Sequence, residues 1–298
     1  MEMKQFAEAV LTALREKADG RFNAWIIEKE KNNGVILTGI TTESPGCNVR
    51  PCIYLDDYYE IFRNGDLNPS EAADMVYDRI MEHQKYIPDI SIQDFLQWDS
   101  VRGLIYPKLV NTELNRNQLE QMPNRSFLDL SVVYYVKIAE DENGIRTIAV
   151  RNEHLILWRQ DEGAIYEAAL KNMAGSGTCL FGDMLTVLSQ RINLKMTQTV
   201  MDSHKMYILT NHRGCFGAAE ILEPSVAEKI SQQIGDFIVL PSSVHELFII
   251  PEEHTTDSYS HLAAIVRCVN RESVSLEERL SDHVYTYHRQ DGALRMAA

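Results

Sequence analysis

Residues 205–252 read KMYILTNHRGCFGAAEILEPSVAEKISQQIGDFIVLPSSVHELFIIPE and combine apolar runs with dense polar punctuation. The runs 237–240 and 247–250 are continuously apolar, a pattern typical of strands buried on both faces. The polar turn Leu240-Pro-Ser-Ser-Val-His-Glu246 lies between them. Residues 223–233 carry apolar side chains at helical spacing and predict a helix. We therefore expect this stretch to form the core of a C-terminal domain.

Hairpin signals recur on the N-terminal side of this stretch. Asn32-Asn-Gly34 separates two β-branched runs, and Asp141-Glu-Asn-Gly144 separates two more. Asn and Gly tolerate the positive φ that tight hairpin turns require. Helical patterns cover residues 2–18, 69–84, 162–173 and 182–192. The sequence thus predicts an α+β fold with mixed or antiparallel sheets built from hairpins and helices packed on one side.

The length of 298 residues suits one large domain or two ordinary ones. Linker-like segments occur near residues 86–90, 122–126 and 174–178. We predict an N-terminal α+β domain over 1–122 and a C-terminal α+β domain over 123–298.

Charge and composition exclude several functional classes. The net charge of −14 and the pI near 5.1 argue against a nucleic-acid surface and against docking on an anionic membrane. The N-terminal segment is amphipathic and not a signal peptide, and five scattered cysteines indicate reduced thiols. We expect a soluble cytoplasmic protein, and since no complete cofactor motif occurs we expect no cofactor.

Several short sequence motifs, called phrases below, are similar to those of a known family. They are Tyr207-Ile-Leu-Thr-Asn211 with Gly217-Ala-Ala219, Leu240-Pro-Ser-Ser-Val-His-Glu246, Glu277-Glu-Arg-Leu-Ser-Asp-His-Val-Tyr285, and in the first half Asn32-Asn-Gly-Val35 and Leu109-Val-Asn111. With them the chain resembles a bacterial family of unknown function, domain of unknown function 5688. The resemblance implies a cytoplasmic bacterial protein and assigns no catalytic role to any residue.

The polar turn carries the residue types of a hydrolase. Ser242 or Ser243 could act as nucleophile, His245 as base and Glu246 as the acid that orients it. No Gly-x-Ser-x-Gly motif accompanies them. The alternative is a tight turn whose hydroxyls bond to the backbone.

A metal site is a further alternative. His212-x-x-Cys215 has a plausible ligand spacing, but a structural zinc site usually shows two such pairs. The other ligand-type residues of this region are His204, His245, His254 and His261. With a single pair present, we predict no metal site and keep His212 and Cys215 as the residues to examine.

Our main hypothesis is a non-catalytic binding protein whose partner is an unknown protein or a small ligand. Its predicted surface is the turn 241–246 together with segment 279–285, where Arg279, Asp282 and His283 would bind. A hydrolase using Ser242 or Ser243 with His245 is the alternative, and metal binding through His212 and Cys215 is the third possibility.

Overall fold

The computed structural model describes residues 1–44, 50, 52–84, 91–141, 144–184, 186–187 and 206–298. The chain divides into two compact units, residues 1–88 and 89–298. Every strand pair among the described residues is antiparallel. Because hairpin-built antiparallel sheets stand beside many helices, the predicted α+β class is confirmed.

The first unit contains three helices and a three-stranded sheet in the order β1-β2-β3 within its described residues. Their bounds are α1 Met3–Ala18, β1 Asn23–Glu30, β2 Ile36–Glu43, β3 Cys52–Tyr54, α2 Asp56–Arg63 and α3 Pro69–Gln84. The hairpin predicted at Asn32-Asn-Gly34 forms, because β1 and β2 pair in antiparallel fashion on either side of it. Asn33 adopts a φ of 60° in the turn. Phe6, Val10 and Leu14 give α1 one apolar stripe, which packs on the sheet and on α3.

The second unit begins with short helices and a four-stranded sheet. These elements are α4 Ile92–Phe95, α5 Trp98–Val101, β4 Ile105–Asn111, α6 Arg116–Leu119, β5 Arg125–Phe127, β6 Leu130–Asp141, β7 Gly144–Ala149, α7 Asn152–Trp158 and α8 Glu162–Ser176. Strand β6 pairs with β4, β5 and β7. Pro107 lies in β4, an edge strand of this sheet, and an edge strand tolerates a residue that has no backbone N–H.

A six-stranded sheet completes the second unit, in the order β13-β12-β10-β11-β9-β8. Its elements are β8 Cys179–Asp183, β9 Tyr207–Asn211, α9 Pro224–Ile234, β10 Phe237–Leu240, β11 Leu247–Pro251, α10 Tyr259–Ser273, β12 Tyr285–His288 and β13 Ala293–Met296. A 3₁₀ helix over Gly217–Leu222 contacts both β9 and β4. The two sheets of this unit consequently share one core.

The central strand β10 is buried on both faces, as its apolar run predicts. Phe237 and Val239 belong to the main core with α9, whereas Ile238 and Leu240 pack in a separate cluster with α10. Alternating side chains of one strand therefore face two helices. This double coverage explains why the run carries no polar residue.

The structure bears on three predictions from the sequence, which concern one helix, the domain boundary and membrane-spanning segments. The helix predicted over 182–192 starts inside β8, because residues 179–183 pair with β9, and residues 188–192 lie outside the described range. The division between compact units falls earlier than the predicted boundary at 122/123, and β4 pairs with β6 across that boundary. Among the described residues, no helix has the length and apolarity that crossing a bilayer requires.

Candidate functional site

The turn after β10 lies directly beside the segment before β12. Ser243 and Arg279 form an isolated antiparallel β-bridge. The Val244 N–H donates to the Glu278 carbonyl at 2.9 Å. The two C-terminal phrases that the sequence singles out are thus neighbours in space.

The Ser243 hydroxyl bonds to the backbone of this turn. It accepts a hydrogen bond from the His245 N–H at 3.1 Å, and the Ser243 N–H donates to the Glu246 carbonyl at 3.3 Å. Ser243 is only 8% exposed, and Ser242 is half-buried. Among the described contacts none joins the Ser243 hydroxyl to the His245 ring, which a nucleophile–base pair needs. A catalytic role for these residues stays a prediction.

The imidazole of His245 points instead toward the segment before the 3₁₀ helix. Its Nδ1 accepts the Phe216 N–H at 3.2 Å, and its Nε2 lies 3.5 Å from a Glu278 carboxylate oxygen. An accepting Nδ1 carries no proton, so the neutral ring is protonated at Nε2. Burial lowers the pKa of His245, and the nearby Glu278 carboxylate opposes this effect.

Phe216 stands in a row of four rings that leads from this turn to the four-stranded sheet. Its ring stacks on His245 with centroids 5.7 Å apart and meets Tyr135 at 5.2 Å. Tyr135 in turn stacks on its cross-strand partner Tyr106 at 6.0 Å. The Lys108 Nζ lies 4.5 Å from the Phe216 ring centroid. These contacts hold Phe216 in the left-handed conformation, at φ 56°, which is uncommon for a bulky residue.

Three of these rings line a cleft of about 560 Å³, a volume that includes space open to solvent. The remaining walls come from strands β4, β6 and β7, the end of α8, and the segment from Asn211 to Glu220. The complete lining is Tyr106, Pro107, Tyr135, Lys137, Glu140, Ile145, Met173, Ser176, Thr178, Asn211, Arg213, Cys215, Phe216, Ala219 and Glu220.

A buried carboxyl group lies on one side of the cleft. Glu220 is 4% exposed, and burial raises its pKa to about 7. A hydrogen bond from the Cys179 thiol lowers this pKa by a smaller amount. Burial also raises the pKa of the Cys215 thiol and of the Tyr135 phenol, so both stay neutral at physiological pH. The raised pKa places the titration of the Glu220 carboxyl near neutral pH.

Two basic side chains line the cleft as well. Lys137 and Arg213 both reach Glu140, at 2.9 Å and 2.5 Å respectively. The two cations share one carboxylate, so this group keeps a net positive charge. It can attract an anionic substituent of a ligand.

The predicted binding residues of segment 279–285 are engaged within the protein. Arg279 donates through Nε to the Val274 carbonyl at 3.1 Å, at the C-terminal end of α10. Asp282 accepts a hydrogen bond from the Asn270 side chain at 2.8 Å. These contacts attach the segment to α10, and a binding role for Arg279 and Asp282 stays a prediction.

His283 belongs to a polar cluster around Asp129. Ser281, which is 2% exposed, donates to Asp129 Oδ2 at 2.7 Å, and His283 Nδ1 lies 3.1 Å from the same oxygen. The Tyr285 hydroxyl donates to Oδ1 at 2.5 Å. These are the residue types of a catalytic triad, but serine and histidine here bind one shared carboxylate oxygen. A triad needs the serine on the opposite imidazole nitrogen, so this arrangement is not a triad. We call the cluster the Asp129 clasp, and a binding role for His283 stays a prediction.

The predicted metal candidates are near each other in sequence on the segment after β9. His212 is exposed, and Cys215 is half-buried in the cleft wall. Within the part of the chain that the structure describes, neither belongs to a group of three ligand-type side chains with metal spacing. His204 lies outside the described residues.

Sequence reasoning singled out Cys215 but missed most of the residues that build the cleft. The composition of β6 marks a strand, but Tyr135 becomes a cleft residue only through its pairing with Tyr106 and its contact with Phe216. Glu220 lies in a short apolar run whose periodicity indicates no element. A single carboxylate inside such a run is the one signal that could have singled it out, because an unpaired charge is rarely buried.

Comparison with known proteins agrees with the resemblance. The family described as "Family of unknown function (DUF5688)" matches residues 3–289. The chain belongs to this family. No curated protein and no solved structure matches the chain. The cleft and the clasp are thus features of a DUF5688 member for which the comparisons supply no activity.

Proposed function

We propose that this protein is a non-catalytic binding protein that holds a small planar molecule in the cleft of its second unit. The observation that carries the proposal is that three aromatic rings and the buried carboxyl group of Glu220 line the same cleft. Concave sites with aromatic walls and a few convergent polar groups are the usual form of small-molecule sites. A perturbed pKa within such a site adds support.

The chemistry of the cleft narrows the ligand class. Tyr106, Tyr135 and Phe216 offer ring faces or edges against which a planar group can stack. Lys137 and Arg213 favour an anionic substituent, because Glu140 neutralises only one of them. Glu220 can donate a hydrogen bond when protonated and accept one when ionised. A planar aromatic acid has the features that these groups recognise.

The turn 241–246 supports this site from behind. His245 stacks on Phe216 and accepts its N–H, which fixes the wall of the cleft. In this proposal the predicted site residues at the turn position the binding groups. The resemblance to a bacterial family is the basis for proposing a cytoplasmic bacterial protein, and the net charge of −14 argues against binding to nucleic acid or to an anionic membrane.

The test fills the cleft with a bulky side chain. Ser176 lines the cleft near the end of α8, whereas Ala174 is an exposed residue of the same helix outside the lining. We expect planar aromatic acids from a metabolite library to raise the Tm of the wild type and of Ala174→Trp. Ser176→Trp should lose this stabilisation because the indole occupies the cleft.

Native mass spectrometry of the same variants measures binding directly. We expect a bound small molecule in the wild type and at least tenfold weaker binding in Ser176→Trp. The proposal is wrong if no member of the library binds the wild type, or if Ser176→Trp binds as tightly as Ala174→Trp.

A further inference from the structure

The register of the six-stranded sheet brings three ligand-type residues together at the ends of three adjacent strands, and this end of the sheet is called its edge below. Phe237 at the start of β10 lies opposite both Pro251 of β11 and Tyr287 of β12. The next position outward on each strand is occupied by Asp236, Glu252 and His288 respectively. These residues are separated in the sequence, and the strand pairing places them in one row.

Their side chains converge. One ligand atom from each of Asp236, Glu252 and His288 lies within 4.8 Å of the other two. His288 Nε2 is 3.0 Å from Glu252 Oε2. Ligand atoms that are about 2.1 Å from one ion are roughly 3 to 4 Å apart, so small side-chain adjustments suffice.

Neighbouring groups donate hydrogen bonds to the two carboxylates, and a third carboxylate lies near the histidine. The Tyr259 hydroxyl donates to the other oxygen of Glu252, and the Arg289 N–H donates to an oxygen of Asp236 at 2.9 Å. Asp291 Oδ2 lies 3.8 Å from His288 Nδ1, on the ring nitrogen away from Glu252. A carboxylate near the far nitrogen of an imidazole is the arrangement that supports histidine ligands of metals.

The basic residues beside this edge are engaged elsewhere. The Arg289 side chain donates through Nε to the Ser231 carbonyl at 3.0 Å, and Arg295 pairs with Asp291 at 3.3 Å. Within the described ranges no ion pair joins Asp236 or Glu252 to a lysine or arginine. Two carboxylates thus face one imidazole with no arginine or lysine charge to balance them.

We propose that Asp236, Glu252 and His288 bind a divalent first-row transition metal such as Mn²⁺ or Zn²⁺. Two carboxylates and one imidazole suit these ions, whereas Ca²⁺ requires six to eight oxygen ligands. All three residues are partly exposed, which allows an ion to enter. Three protein ligands leave coordination positions for water or for a ligand.

Space for such a ligand lies next to the three residues. The lining of a cleft of about 640 Å³, a volume that includes space open to solvent, contains Gly235, Pro251, Glu253 and Arg289, which are sequence neighbours of the three proposed ligands. This site uses other residues than the ring-lined cleft, so each proposal can fail without the other.

Titration with the metal alone tests the site. Full-length protein without an affinity tag is freed of metal by chelation and titrated with Mn²⁺ and Zn²⁺ by calorimetry. We expect one ion per chain, and at least tenfold weaker binding in Glu252→Gln and His288→Gln. Asp291→Asn should weaken binding about tenfold to a hundredfold, because Asp291 orients a ligand without touching the ion.

The matched control is the pair Asp257 and His261, whose side chains lie 3.8 Å apart, are exposed and do not line that cleft. Asp257→Asn and His261→Gln should bind metal as the wild type does. Pulsed electron paramagnetic resonance of bound Mn²⁺ should detect one imidazole nitrogen in the wild type, a readout that needs no variant to fold. Binding weaker than millimolar, equal binding in all variants, or the absence of that nitrogen would overturn the proposal.

Discussion

The backbone N–H of Phe216 donates a hydrogen bond to the imidazole Nδ1 of His245 at 3.2 Å, while the two rings stack face to face. This pair connects the polar turn after β10 with the wall of the ring-lined cleft. Because Phe216 has a positive φ, its neighbours must hold the strained backbone in place.

His245→Phe should keep the stacking and lose the acceptor. We expect a loss of about 1–3 kcal/mol in the free energy of unfolding, because the Phe216 N–H then lacks a partner. Trp98 and Trp158 both lie in the second unit, so in a Trp25→Phe background fluorescence during urea unfolding reports on that unit. His261→Phe is the control, since His261 is exposed.

This variant should also change the pH dependence. Burial lowers the pKa of His245 below its ordinary value of 6.5, so between these two values the unfolded chain binds the extra proton. The stability that neutral His245 contributes is therefore lost as the pH falls below about 6.5. If His245→Phe shows the same acid-side loss as the wild type, His245 is not the titrating group.

Glu220 should produce the opposite dependence. Its pKa is raised from 4.5 to about 7, so the folded state binds more protons than the unfolded chain between these values. The free energy of unfolding should fall by up to about 3 kcal/mol as the pH rises through this window. Glu220→Gln should remove the slope and be more stable than the wild type at pH above about 7.

Urea unfolding at a series of pH values measures this effect, with Glu228→Gln as control because Glu228 is an exposed residue of α9. Equal slopes in the wild type and Glu220→Gln would contradict the assignment.

Gly217 permits the close approach of three segments. A Cβ at this position would lie 2.5 Å from Thr210 Oγ1, 2.6 Å from the Asn211 nitrogen and 2.7 Å from the His245 carbonyl oxygen. Two of these atoms belong to the backbone, so Gly217→Ala should cost about 1–3 kcal/mol through overpacking. Gly175→Ala is the control, since its Cβ meets nothing and alanine favours the helix. Thermal unfolding that ranks the two variants equally would show that the contact can relax.

Asp129 should stabilise the segment before β12. Asp129→Ala removes the carboxylate acceptor of the buried Ser281 and Tyr285 hydroxyl groups. We expect a loss of about 2–4 kcal/mol, since each orphaned buried hydroxyl costs about 1–3 kcal/mol. Tyr285→Phe in the Asp129→Ala background should recover part of this loss, and urea unfolding of the two single variants and the double variant measures the coupling. Strict additivity would show that the two residues do not interact.

The extent of the first folding unit can be tested with fragments. Residues 1–88 have their own core around Phe6, Leu14 and Ile40, so the fragment should be monomeric and unfold cooperatively. A fragment of residues 1–122 carries β4 without its partner β6 and exposes Ile105 and Leu109, which are fully buried in the whole chain. It should aggregate or be cleaved after residue 88 in limited proteolysis. A protease-resistant core ending near 122 would instead support the boundary predicted from the sequence.

Local patterns in the sequence were sufficient for much of the fold. The turn at Asn32-Asn-Gly34 and the two apolar runs around the polar turn depend on neighbouring residues, and both elements form where they were predicted. The helix predicted over 182–192 overlaps the last two residues of β8 because the pairing of β8 with β9 involves residues distant in the sequence, whereas residues 184, 186 and 187 are helical. The residue types of the turn at 241–246 indicated a candidate site, and only the structure shows that Ser243 bonds to the backbone and that His245 stacks on Phe216.

The sequence alone therefore determined the class of fold, the buried strands and the family, because these depend on local periodicity and on phrases that can be read directly. The tertiary structure decided which side chains meet. Glu220 joins the rings of Tyr135 and Phe216, and Asp236 joins Glu252 and His288, only after the sheets have formed. Strand register and sheet packing set these distances, and neither is encoded in any single segment.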